Sequence, residues 1–190
     1  GKLWAVINCS YFFFVMDAAT AKHLTQISIP NCRYITFHGR YAYVSSYAGP
    51  VQIDPNARLG YVARIDIDRM EVIDTCTVGY QPDEIVVHGG KLYVANSGGY
   101  RFPNYDRTIS VIDLNTFTVT NTIDVAINLH RLEADRQGYI WVSSRGDYYG
   151  YGSKTYVIDP RTETVCDSLD VPNSEMTLAG DSLYIYGTDW

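Results

Sequence analysis

The chain predicts an all-β fold, a β-propeller of four-stranded antiparallel blades, and three observations carry that prediction. A segment of roughly 45 residues recurs along the sequence, a period that marks propeller blades when it is built from short β-type runs. Its clearest copy runs from Pro82 to Val125 and contains Lys91-Leu92-Tyr93-Val94-Ala95-Asn96, then Ile109-Ser110-Val111-Ile112-Asp113. The runs are rich in Val, Ile, Tyr and Thr and are bounded by Gly, Asn, Asp and Pro, which is strand punctuation. Helical periodicity is absent throughout.

Each full copy divides into four strands. In the clearest copy they are predicted at Glu84 to Val87, Lys91 to Ala95, Thr108 to Asp113 and Phe117 to Val125. The same pieces return as Tyr41-Ala42-Tyr43-Val44 with Val62-Ala63-Arg64-Ile65-Asp66, and as Tyr139-Ile140-Trp141-Val142 with Thr155-Tyr156-Val157-Ile158-Asp159. The expected division is a partial blade over 1–29, blades over 30–79, 80–126 and 127–171, and a partial blade over 172–190. One such unit cannot bury both of its faces, so the units stack radially.

Two turns per blade are tight. His38-Gly39-Arg40, His88-Gly89-Gly90 and Asp135-Arg136-Gln137-Gly138 join the first and second strands, with Gly supplying the positive φ of a hairpin. Asp17, Asp66, Asp113 and Asp159 open the turn between the third and fourth. Each carboxylate is placed to accept backbone N–H groups of its own turn. A metal reading of these aspartates is weaker, because each stands alone at its blade tip. Trp4, Tyr43, Tyr93, Trp141 and Tyr184 recur in the second strand and are expected to fill the wedge between blades.

The bulk composition excludes several classes. Net charge is -6 with no Lys/Arg cluster, against a nucleic-acid partner. No apolar run reaches about 18 residues, so no transmembrane segment is expected. Leu3 to Val15 reads as strands, not as a signal peptide. The four cysteines show no zinc spacing. Cys76 and Cys166 are expected as isolated core thiols, and Cys9 and Cys32 fall near one face, which allows one disulfide. Asn8-Cys9-Ser10 matches a glycosylation sequon at a strand end.

Ile158-Asp159-Pro160-Arg161-Thr162 with Val165, Val78-Gly79-Tyr80-Gln81-Pro82-Asp83-Glu84-Ile85 and Lys91-Leu92-Tyr93-Val94-Ala95-Asn96 resemble the repeat of YVTN-type β-propellers. The chain is most similar to the uncharacterised secreted or lipid-anchored propellers of Gram-negative gut bacteria. That resemblance implies an extracytoplasmic protein, periplasmic or at the cell surface, of a kind often proposed to bind ligands. It implies no reaction, because one fold hosts many functions. No signal peptide or lipidation cysteine is read in the chain, so the location rests on the resemblance alone. The copies depart from a closed ring: the chain opens and closes on a second strand, with about four blades' worth between. The expectation is an arc of a larger ring of six to eight blades, whose open edges invite self-association.

Loop length gives the functional expectation. Second and third strands are joined by the long links Ser45 to Gly60, Ser97 to Arg107 and Ser143 to Lys154, on one face of the propeller. Long loops on a rigid scaffold are where binding resides. They carry Tyr47, Tyr100, Arg101, Phe102, Tyr105, Arg145, Tyr148 and Tyr149. Tyrosine combines a flat apolar face with a hydroxyl, which suits a glycan, a peptide or a protein partner. The alternative use of these rings is to pack the loops onto the blade tops. Aligned first strands place Arg33, Asp83, His130 and Ser174 at one level of the channel mouth, and Tyr34, Glu84, Arg131 and Glu175 at the next. Glu84, His130, Arg131 and Glu175 complete the candidate ligand-binding set.

A non-catalytic binding module is the leading function. The alternative is a lyase- or lactonase-like propeller enzyme with His130, Glu84 and Glu175 as its acid–base set at the mouth. An assembly scaffold is the third. No HExxH, GxSxG or phosphate loop is present, and no cofactor or metal is implied.

Overall fold

The computed structural model describes residues 1–172 and 175–187. Its strands assemble into five antiparallel sheets taken in chain order. The first holds β1 (Lys2–Ala5), β2 (Phe12–Asp17) and β3 (His23–Ser28). Three four-stranded sheets follow: β4 (Cys32–His38), β5 (Tyr41–Ser46), β6 (Leu59–Asp66) and β7 (Glu71–Tyr80); then β8 (Pro82–His88), β9 (Lys91–Asn96), β10 (Thr108–Asp113) and β11 (Thr118–Asp124); then β12 (Leu129–Ala134), β13 (Ile140–Ser144), β14 (Lys154–Asp159) and β15 (Thr164–Leu169). The last described sheet is β16 (Glu175–Ala179) with β17 (Ser182–Tyr186). Each sheet is a meander, and the inner strands β4, β8, β12 and β16 lie side by side in that order. The fold is an all-β propeller. No helix of the described residues is long and apolar enough to cross a membrane.

The sheets stack because their strands are apolar on both faces. Along β5, Ala42 and Val44 bury against Phe13, Val15 and Ile27 of the sheet before, while Tyr43 buries with Leu92, Val94 and Phe117 of the sheet after. β9 repeats this: Leu92 and Val94 face back, Tyr93 and Ala95 face forward onto Leu132, Ile140 and Ile158. A strand side-chain period of two thus supplies both interfaces, each buried Ile or Leu contributing about 1.5–3 kcal/mol. Tyr43 and Tyr93 fill the wedges as expected, and Trp4 is half-buried against Phe13 and Phe37, ring centroids 5.7 and 5.8 Å away. Tyr184 departs from that expectation. It is 60% exposed, because no described sheet lies beyond β17 to receive it.

The aspartate turns take the predicted form. Asp17, Asp66 and Asp113 each accept two backbone N–H groups of their turns through Oδ1, and Asp159 accepts that of Arg161. Each turn ends on a residue of positive φ, Ala21, Met70, Phe117 or Glu163, whose N–H returns to the carbonyl of its aspartate. The following strand pairing shifts register by a bulge in all four sheets, the pattern of a turn closed by a left-handed residue.

The cysteines correct one expectation, that of Cys166 as a core thiol. All four are free. Cys9 sits exposed at φ 62 while Cys32 is buried, its Sγ near the Ile7 carbonyl. Cys166 is exposed, not a core thiol, because β15 is an outermost strand with every residue facing solvent.

Candidate functional site

The inner strands prepare the site by breaking their own pairing. β4, β8 and β12 each lose register with the neighbouring strand over two residues: 33–34, 83–84 and 130–131. A bulge re-aims the side chains it carries, and these six residues are the ones that meet at the channel mouth. Just before each bulge stands a buried polar residue at positive φ: Asn31, Gln81 and Asn128. Gln81 Oε1 accepts the N–H of Tyr100 at 2.7 Å, Asn128 Nδ2 donates to the Gly146 carbonyl at 3.0 Å, and Asn31 Nδ2 donates to the Gly49 carbonyl. Each long loop is therefore pinned to the start of its own blade.

Asp83 is the hub of the mouth. It is fully buried and meets four side chains. Its Oδ1 accepts Arg33 Nε at 3.1 Å and the Tyr47 hydroxyl at 2.7 Å; its Oδ2 lies 3.2 Å from His130 Nδ1 and 3.5 Å from Arg145 Nη1. Arg145 Nη2 also stands 2.8 Å from His130 Nε2. A guanidinium only donates, so Nε2 accepts, and the imidazole proton sits on Nδ1, directed at Asp83. Burial pushes His130 below its ordinary pKa, with Arg145 and Arg131 acting in the same sense and Asp83 opposing. Burial alone would raise the Asp83 carboxyl, but the His130 hydrogen bond and the charges of Arg33 and Arg145 hold it below the usual carboxylate range. Two guanidiniums thus face one carboxylate, with His130 neutral between them.

The next level is a second ion network. Arg131 pairs with Glu84 at 3.3 Å and with Glu175, and its guanidinium lies over the Tyr34 ring at 5.0 Å. Glu84 Oε2 accepts the Leu132 N–H at 2.8 Å. Burial pushes the Glu84 carboxyl up to about 7, against the pull of that N–H and of Arg131. Ser174 falls outside the described residues. Among the described residues no three His, Cys, Asp or Glu side chains converge as metal ligands.

Above the mouth opens a cleft of about 760 Å³. Tyr47, Tyr100, Phe102, Tyr105, Tyr148 and Tyr149 line it, drawn from the loops 47–58, 97–107 and 145–153, with Arg33, Arg145, Ser97 and Asn128. The rings touch edge to face: Tyr47 with Tyr100 at 6.3 Å, Phe102 with Tyr105 at 6.1 Å; Tyr149 lies tilted 6.4 Å from Phe102. Tyr148 and Tyr149 are 65% and 86% exposed. Their loop is fixed by Asp147, whose Oδ1 accepts the N–H groups of Tyr149, Gly150 and Tyr151, each at 2.9 Å.

The expected residues therefore fall into two joined groups. The loop aromatics and Arg145 line the cleft, while Glu84, His130, Arg131 and Glu175 sit at the mouth around Asp83. Arg101 belongs to neither wall. It lies 3.5 Å over the Tyr80 ring and donates to the carbonyls of Asn104 and Pro55, tying two loops together. Sequence reasoning left Asn8, Arg33, Ile53, Ser97, Gly99 and Asn128 out of the candidate ligand-binding set. A signal was present for Arg33, in its alignment with Asp83 and His130, and for Asn128, in its repeat equivalence with Asn31 and Gln81.

Neither a family profile nor a curated protein sequence matches the chain. Solved structures do. The chain is similar to Kuenenia stuttgartiensis hydrazine synthase, with a TM-score of 0.76 and 19% identity over 92% of this chain and 47% of that one. It is also similar to the dihydro-heme d1 dehydrogenase NirN, solved in complex with DHE, with a TM-score of 0.62 and 12% identity over 88% of this chain and 35% of that one. Both are β-propeller-type proteins, and at these identities the likeness concerns the fold. The chain spans about half the length of the first and about a third of the second.

Proposed function

We propose that this chain is a non-catalytic ligand-binding propeller whose loop-face cleft holds a glycan or a short peptide. One observation carries the reading: six aromatic side chains from three separate loops share a single cleft with two guanidiniums at its floor. Pockets of about 300–1,000 Å³ with apolar walls and a few placed polar groups are the usual form of a ligand site. Rigid rings presented at low conformational cost suit sugar or peptide faces. An extracytoplasmic location and membership of the YVTN-type propellers belong to the same proposal and rest on the repeat resemblance.

The test is a glycan and peptide array run on the parent chain and on Tyr100→Ala/Tyr148→Ala/Tyr149→Ala. The expected result is a hit lost in the variant with no turnover of the bound molecule. A hit unchanged in a variant that folds like the parent removes the cleft as its site.

The Asp83–His130 pair favours a second reading, a lyase- or lactonase-like enzyme. A buried carboxylate orienting a neutral imidazole is an acid–base arrangement. Against it, His130 is 2% exposed and its Nε2 is already engaged by Arg145. Product formation from an array ligand, abolished by His130→Gln, would establish that reading instead.

A further inference from the structure

We infer that the cleft selects a carboxylate-bearing sugar, an acidic oligosaccharide of the uronate type, over its neutral counterpart; this rests on the binding reading above.

Three features of the cleft point to the same chemistry. The first is charge. Arg33 and Arg145 both line the cleft, and the carboxylate they share, Asp83, is a single one. The Asp83 side chain is fully enclosed beneath them, whereas that of Arg145 remains 31% exposed. The group exposed at this point of the floor is therefore a guanidinium, its Asp83 partner being enclosed, while Glu175 stands on the other side of His130 with Oε1 3.8 Å from Nε2. A guanidinium recognises carboxylate oxygens with directed, charge-assisted hydrogen bonds.

The second is an unmatched acceptor. Asn128 lines the cleft and is 1% exposed. Its Nδ2 is used by the Gly146 carbonyl, while its Oδ1 has no hydrogen-bond partner among the described residues. That oxygen lies beside Gly99, where a Cβ would come within 3.1 Å of it. A buried acceptor left without a donor is costly; this oxygen is enclosed beside Gly99, so a ligand hydroxyl satisfies it where the Gly99 backbone gives way. The third is the wall of rings, with Tyr148 and Tyr149 exposed at the rim, which offers flat faces to the C–H face of a pyranose. Carboxylate, hydroxyl and ring face occur together in a uronic acid. A neutral sugar leaves the guanidinium unused, and a simple anion leaves the rings and Asn128 unused.

The experiment is calorimetric titration of the parent chain with a galacturonic acid trisaccharide and with the same trisaccharide after reduction of its carboxyl groups to alcohols. Charged hydrogen bonds of this kind correspond to an acid preference of about tenfold or more. Arg145→Gln is expected to remove that preference, the acidic trisaccharide losing about tenfold more affinity than the reduced one. Arg145→Lys, which keeps the charge and guards against a folding defect in the first variant, is expected to retain part of the preference. Tyr149→Ala, remote from the ion network, is expected to weaken both sugars alike. Equal or tighter binding of the reduced sugar overturns the acid inference and leaves the binding reading standing. Failure of both sugars to bind overturns the inference, and the array then decides the binding reading separately. An acid preference that survives in a folded Arg145→Gln chain also overturns it, since the selectivity then arises elsewhere.

Discussion

At the scale of single residues, Asp83 holds the mouth together and Glu84 tunes it. Asp83 is enclosed with Arg33, Tyr47, His130 and Arg145 around it. Removing one side of a buried ion network strands the other, so Asp83→Asn is expected to destabilise the chain by about 3–5 kcal/mol, read by chemical denaturation. Glu84 is the pH-sensitive neighbour. Its carboxyl is raised by burial from 4.5 to about 7, so its contribution favours the folded state in acid and is lost as pH rises through about 7. Glu84→Gln removes that loss. Relative to the parent, the variant is expected to gain up to about 3 kcal/mol between about pH 5 and pH 8. A stability difference flat across that range would show that Glu84 ionises normally. The level of both residues was readable by aligning the first strands of the repeat. The convergence on Asp83 was not, because Tyr47 and Arg145 arrive from two different loops, and no local pattern encodes where a long loop folds back.

At the scale of elements, the strands and tight turns were legible because their chemistry is local. The alternation of Leu92, Tyr93 and Val94 and the aspartate of each third–fourth turn carry their own structural instruction. The long loops follow a different logic, in which a few buried tethers fix an exposed surface. Gly146 is one such point. Its φ is +67, and a Cβ there would sit 1.8 Å from the Tyr151 carbonyl oxygen. Gly146→Ala must therefore reshape the loop that presents Tyr148 and Tyr149. The expected outcome is ligand affinity reduced by about tenfold or more with little change in global unfolding, since the loop tip is exposed. Gly150→Ala, where a Cβ meets nothing within 4 Å, is the matched control and should leave binding intact.

At the scale of the whole molecule, stacking explains both what is buried and what is left open. Tyr43 and Tyr93 are covered by the sheet that follows each of them, whereas Tyr184 and Tyr186 stand 60% and 59% exposed on the last described sheet. The repeat made Tyr184 look like core, because periodicity reports a position within a blade and not whether a neighbour covers it. The central claim concerns the loop face, a concave surface built to be filled. Its most direct measurement is amide chemical-shift mapping with the tightest array ligand. The account predicts shifts concentrated in 97–107, 145–153 and around Asn128. Shifts confined to the other face, near Arg136 and Arg161, would contradict it.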